Sequence, residues 1–340
     1  MERKPDADDI AAAALRLKHD PAYDSIQRGW IGNLYHVTDV QNAASILAMG
    51  RLLCHDEAVR AGVLQTAASA AEIMGGTPGW VHRHVRLYFR PKTPTFYRNE
   101  GLRPAGDRWK GAHCPVPVAF VFDAPSILGR MGTKWSAGNL ASHANPVIGD
   151  DVASFLASPF DRIYDRRAPY ETNDASTTIH HQQAEVIVPD ELSLDSLRAV
   201  FVRSPADRQT LRTLVNADGG DIGALDRYLR INHSEFCCRQ TIIEDVQLVD
   251  AGRQVRVVCT PPMSGLPRFS ARACWGDAAG WQCEEAFSYD LDPRHAWRAA
   301  VPEALRNNRF RLALWLDDAL AFTGWFDPAG NDVLIPPARP

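Results

Sequence analysis

Residues 116–122 read Val-Pro-Val-Ala-Phe-Val-Phe, an unbroken apolar run. A run this short, rich in branched and aromatic side chains, reads as a strand covered on both faces. A chain carrying one needs a sheet with layers on either side. Further strands are expected at 34–38, 85–89, 183–188 and 197–202 from their branched and aromatic content. Helices are expected at 9–19, capped by Asp8 or Asp9, and at 40–50, which Asp39 caps and Gly50 ends. Shorter or later ones are expected at 125–128, 152–157, 205–215 and 222–230, while the polar stretch 165–178 reads as a loop.

After about residue 250 the texture changes. Alternation of period two appears at 255–258, 269–273, 287–291 and 310–316, and Trp275, Trp281, Trp297, Trp315 and Trp325 all lie there. Short alternating runs separated by turn residues predict a small antiparallel β-sandwich, with its boundary near Asp250-Ala251-Gly252. Most of these tryptophans are expected to be core, and a recognition or docking role is the sharper alternative.

The 340 residues suggest two domains, and a net charge of −4 with 45% apolar residues excludes a wholly disordered chain. No run approaches the roughly 20 apolar residues of a membrane span, and the start has no signal-peptide core, so a cytoplasmic protein without a membrane partner is expected. Only five of 37 basic residues are lysine, which reads mostly as genome composition. Seven cysteines with no CxxC pair are expected as buried thiols. The pairs His82/His84 and His180/His181 lack the HExxH spacing, and no metal is assigned.

Three segments carry candidate chemistry. In Gln183-Ala184-Glu185, strand alternation puts the amide and the carboxylate on one face. In Tyr35-His36-Val37-Thr38, two polar residues precede a helix start, where backbone N–H groups favour anions. Residues 81–98 interleave Arg83, Arg86, Arg90, Lys92 and Arg98 with Tyr88, Phe89, Phe96 and Tyr97. Basic groups beside stacking rings suit a nucleotide or a single strand. On pattern alone, each also fits an ordinary half-buried strand or an aromatic core with a solvated edge.

The order of these segments resembles the DarT-type ADP-ribosyltransferases, toxins of toxin–antitoxin and phage-defence modules. Four motifs carry the resemblance: Leu34-Tyr35-His36-Val37-Thr38 with Asn42, Ile46-Leu47 and Gly50; the block from His82 to Tyr97; residues 134–142; and Gln182-Gln183-Ala184-Glu185-Val186-Ile187-Val188. They cover residues 31 to about 205. The resemblance implies an α+β fold with an ADP-ribosyltransferase-like mixed β core and flanking helices. The expected division is a helical extension over 1–30, the transferase domain over 31–250 and the sandwich-like domain over 251–340.

The resemblance also implies roles. Glu185 matches the catalytic glutamate, and Gln183 the residue two before it that helps define the target. Tyr35, His36, Thr38, Asn42, Tyr88 and Asn139 match positions at or near NAD, which is consumed as substrate without a metal. Residues 163–182 match the substrate-facing loop, where Arg166 and Arg167 join Arg83, Arg86, Arg90 and Lys92 as expected nucleic-acid contacts.

The expected activity is transfer of ADP-ribose to a base in single-stranded nucleic acid, DNA before RNA, with a protein target or an inactive binding module as alternatives. An antitoxin, either an ADP-ribosyl hydrolase or an inhibitor, is a possible partner. The chain also departs from the family pattern. The helix around 65–74 lacks the family's arginine, for which Arg60 and Arg83 are neighbouring candidates. Ser136-Ala137 and Arg83-His84-Val85-Arg86 stand where the family has an aspartate and Asp-Tyr-Val-Pro.

Overall fold

A computed structural model describes residues 2–66, 71–141 and 147–328, without the side chains of 71, 73 and 281–290. The apolar run becomes β4 (Pro117–Asp123), with Val118 to Phe122 all buried. Proline opens the strand, where its missing N–H is tolerated. The strand lies inside an eight-stranded sheet. The other members are β1 (Asn33–Asp39), β3 (His84–Tyr88), β5 (Lys134–Ser136), β6 (Ile148–Gly149), β7 (Glu185–Pro189), β9 (Leu197–Val202) and β10 (Leu229–Ile231), in the order β10-β9-β4-β1-β3-β7-β5-β6. Two further short strands, β2 (Arg51–Leu53) and β8 (Glu191–Ser193), pair beside it. Only β10 runs parallel to its neighbour, on β9. Residues 222–230, expected as one helix, are the helix Ile222–Tyr228 followed by β10.

The helix Val40–Met49 follows β1 directly. The Asp39 carboxylate accepts from the Gln41 backbone N–H at 3.1 Å, and Gly50 ends the helix at φ 70°. Burial pushes the Asp39 carboxyl up to about 6. The expected N-terminal extension is part of the same core, because Ile10, Ala13, Ala14 and Trp30 pack with Leu34, Phe120 and Phe122.

The β-rich end begins earlier than expected. Residues Ile242–Val249 form β11, which pairs with β12 (Gln254–Thr260). Asp250 and Ala251, at φ 53° and 50°, make the tight turn of that hairpin, so the expected linker lies inside a sheet. β15 (Trp297–Ala300) completes a three-stranded sheet. β13 (Phe269–Asp277), β14 (Gly280–Leu291), β16 (Phe310–Leu316) and β17 (Ala319–Phe326) form a four-stranded one. The two sheets share a core containing Val255, Val257, Trp275, Leu312 and Phe322, which is the expected sandwich. Trp275 is its centre, while Trp297, Trp315 and Trp325 are half-buried and the Trp281 side chain lies outside those described.

One helix, Pro205–Ala217, ties this end to the main sheet. Just before it, the Ser204 hydroxyl donates to the Ile243 carbonyl at 2.8 Å, while Thr323 N–H donates to the Thr210 hydroxyl at 3.1 Å. Arg203, fully buried, donates to Asp207 from Nε at 2.8 Å and to the Pro115 carbonyl from Nη2 at 3.0 Å. Removing one partner strands a buried charge. Arg203→Met is therefore expected to destabilise the protein by about 3–5 kcal/mol in urea unfolding, with much of the loss recovered in Arg203→Met/Asp207→Leu. Equal stability of wild type and the single variant would contradict this junction.

Candidate active site

Register brings the chemistry together. β3 pairs antiparallel with β7, so Tyr88 stands opposite Glu185 and Arg86 opposite Ile187. Alternation puts His84, Arg86, Tyr88, Glu185 and Ile187 on one face. Arg86 reaches diagonally to the carboxylate, donating from Nε to Oε2 at 2.5 Å and from Nη2 to Oε1 at 2.8 Å. The Leu140 backbone N–H donates to Oε1 at 3.1 Å. Glu185 has no exposed surface, whereas the Arg86 side chain keeps 24%. Burial works against the Arg86 charge, but the adjacent carboxylate outweighs it and holds the guanidinium firmly protonated. The Tyr88 phenol, buried beside Glu185, is pushed up to about 12 and stays neutral.

The residues 134–142 supply the third donor to the carboxylate. The Asn139 side chain accepts from Ala141 N–H at 2.9 Å, and its backbone N–H donates to the His180 carbonyl at 3.1 Å, which aims the intervening Leu140 N–H at Glu185. Ser136 accepts from the Glu185 backbone N–H at 3.3 Å and donates to the Gly138 carbonyl at 2.5 Å. A Cβ on Gly138 would fall 2.1 Å from His180 Nε2, so any larger residue there must push the His180 ring aside. Ser142 lies outside the described residues.

A cavity of about 230 Å³ adjoins this face, with Arg86, Tyr88, His36, Thr38 and Asn42 among its lining residues. His36 Nδ1 lies 3.1 Å from the Arg86 carbonyl and donates to it, and burial lowers its basicity, so the ring is neutral. Asn42 donates to Thr38 Oγ1 and to the Thr66 carbonyl, and accepts from the N–H groups of Gln65 and Thr66 at 2.8 and 3.1 Å. It thereby clamps residues 65–66 over the cavity. Tyr35 is a core residue, 2% exposed, and does not line the cavity.

Three expectations change. Gln183 lies in the turn before β7, since the strand starts at Glu185, so strand alternation does not reach it. It is buried, accepts from the Thr95 hydroxyl, and donates to the Ile179 carbonyl at 3.3 Å. The stretch 165–178 is not all loop, because Ala175–His181 is a helix capped by Asp174. Its short polar sequence carries too little periodicity to announce one.

Of the expected strand-gripping cations, Arg86 is tied to Glu185 at the cavity wall and Arg90 is an interior side chain. Arg90 packs over the Trp30 ring at 5.1 Å and donates to the Ile163 and Asp165 carbonyls, and burial pushes its guanidinium down to about 10. Gln182 donates to the Asp165 and Arg167 carbonyls at 3.0 and 2.8 Å, so both residues anchor the root of the 163–182 segment.

Arg83 is exposed and Lys92 half-buried. Arg166 is exposed and paired with Asp24, as Arg167 is with Asp165. The expected aromatic-basic interleaving does occur nearby, with partners the sequence spacing concealed. Arg98 packs over Trp109 at 5.0 Å and Arg239 over the half-exposed Tyr97 at 5.2 Å. Also unforeseen, His55, Asp56 and His82 bring ligand atoms within 4.8 Å of one another. His55 Nδ1 lies 3.4 Å from an Asp56 carboxylate oxygen, and His82 Nε2 donates to the Met74 carbonyl at 3.2 Å.

Gly138→Ala is expected to displace His180 and loosen the Leu140 bond to Glu185. Loss of a bond to a charge is about 1.5–3 kcal/mol, so urea unfolding of the variant should show a loss of about that size, and unchanged stability would contradict it.

A curated DNA ADP-ribosyl transferase of Thermus sp. (strain 2.9) is 30% identical over 89 residues, 24% of this chain, and the match spans only 41% of that relative. The solved Thermus sp. 2.9 DarT in complex with ADP-ribosylated ssDNA aligns with 60% of this chain and 96% of that one, at 15% identity and TM-score 0.47. Thermosipho africanus DarTG in complex with ADP-ribose aligns with 64% of this chain and 54% of that one, at 17% identity and TM-score 0.45. The family model described as ssDNA thymidine ADP-ribosyltransferase, DarT, matches residues 35–228, more than half of the chain, and the chain belongs to that family.

Proposed function

We propose that this protein consumes NAD and transfers its ADP-ribosyl group to a base in single-stranded DNA. The observation that carries the reading is Glu185: a fully buried carboxylate that accepts three hydrogen bonds, beside a cavity, inside the matched region. Breaking the bond between ribose C1′ and nicotinamide builds positive charge on the ribose, as in glycoside hydrolysis. A preorganised carboxylate stabilises that charge more than the ground state. The bonding electrons leave with nicotinamide, which departs neutral. The acceptor atom of the base bonds to C1′, and its proton passes to Glu185.

An acceptor base must be unstacked to reach the site, which favours a single strand. Arg83, Lys92, Arg166 and Arg167 are the candidate backbone contacts, and the Arg98–Trp109 and Arg239–Tyr97 pairs offer sequence-tolerant stacking surfaces. Gln183, held by Thr95 beside the 163–182 segment, is the candidate target-selecting residue. A cytoplasmic setting and an antitoxin that reverses or blocks the modification complete the reading. No helix among the described residues is long and apolar enough to cross a membrane.

The test is label transfer from NAD carrying a radioactive phosphate to single-stranded DNA, RNA and protein in parallel. Label should enter the single-stranded DNA, and Glu185→Gln should lower transfer about 10²–10⁴-fold. Label on RNA or protein alone would move the target class, and wild type matching Glu185→Gln would remove the enzymatic reading.

A further inference from the structure

The reaction requires Glu185 to meet the nicotinamide ribose, yet the carboxylate has no exposed surface and both of its oxygens are taken by Arg86. Arg86, not Glu185, lines the cavity. Something must draw the guanidinium off before the site can work. A neutral group cannot compete for a fork bound to a carboxylate, because charge-assisted bidentate pairs are roughly twice as strong as neutral hydrogen bonds. Another anion can.

The ribose that must reach Glu185 carries one on its own 5′ carbon, namely the first phosphate of the NAD pyrophosphate. Any side chain touching Glu185 is therefore close to where that phosphate must lie. Among the described residues none accepts a bond from Arg86 Nη1, and the side chain lines the cavity, so that end of the fork is the one an incoming phosphate meets first. The exchange also removes a conflict, since a bare carboxylate beside a pyrophosphate would repel it.

Resting on the NAD reading above, we propose that Arg86 is a latch on Glu185 that trades the carboxylate for the NAD pyrophosphate, so that substrate binding itself uncovers the catalytic group.

The test is a binding cycle with a carbocyclic NAD analogue that cannot be split. It compares wild type, Glu185→Gln, Arg86→Gln and Arg86→Gln/Glu185→Gln, with nicotinamide release from true NAD followed in parallel. In Glu185→Gln the latch is already free, so the analogue should bind about tenfold or more tightly than in wild type. In the Arg86→Gln background the same Glu185→Gln change should give no such gain. Relief of plain repulsion between carboxylate and phosphate would instead give the gain in both backgrounds and would overturn the latch.

Arg86→Gln alone leaves a buried carboxylate unpaired and can fail to fold. The double variant has no such charge, and it must then bind at least about tenfold more weakly than Glu185→Gln. Equal affinity of those two variants would also overturn the proposal. Wild type that splits NAD while Glu185→Gln binds no tighter would remove the latch and leave the function standing. Wild type that neither binds the analogue nor splits NAD would remove both.

Discussion

The guanidinium of Arg86 and the carboxylate of Glu185 meet across the pairing of β3 and β7, and the site is organised around that meeting. A fully buried carboxylate needs donors for its lone pairs, and these come from two directions. The sheet provides Arg86 through register, with Tyr88 opposite Glu185 and Arg86 one pair further on. The residues 134–142 provide the Leu140 N–H, aimed by the Asn139 turn and by a glycine against which His180 closes. A one-residue slip of β3 on β7 would turn Arg86 to the opposite face. The long apolar β4, paired along seven residues with β1, fixes the middle of the sheet from which that register propagates.

Much of this was legible in the residues. The run 116–122 announced an interior strand because an unbroken apolar sequence needs cover on both faces. Asp39 and Gly50 bracketed their helix because capping is local chemistry. Period two beyond residue 250 announced the sandwich. What escaped was mostly non-local. Nothing in a linear sequence pairs Arg86 with Glu185, 99 positions apart, so an arginine in an aromatic, basic block read as a nucleic-acid contact. Arg90 escaped for the same reason, since its carbonyl partners lie 73 and 75 positions away. The boundary near Asp250 failed differently: turn residues look alike in a linker and in a hairpin, and only the pairing of β11 with β12 tells them apart. Gln183 shows the limit of alternation, which is informative only once the first residue of a strand is known.

The β-rich end is not an appendage loosely tethered to the main sheet. β11 precedes the expected boundary, and the helix Pro205–Ala217 hydrogen-bonds β17 while the Ser204 just before it bonds β11. Trp275 lies at the centre of the sandwich core, whereas Trp297, Trp315 and Trp325 are half-buried, so fewer of the described tryptophans are core than expected. Mutations in the sandwich will therefore reach the main sheet through Ser204 and the helix Pro205–Ala217.

In the proposed latch Arg86 changes partner when NAD enters, and a crystal structure of the wild-type protein with the carbocyclic NAD analogue bound would record that exchange. The expected result is the Arg86 guanidinium on the pyrophosphate oxygens and the Glu185 carboxylate against the nicotinamide ribose. A bound dinucleotide with Arg86 still forked onto Glu185, or a dinucleotide lying away from the cavity beside Tyr88, would contradict it.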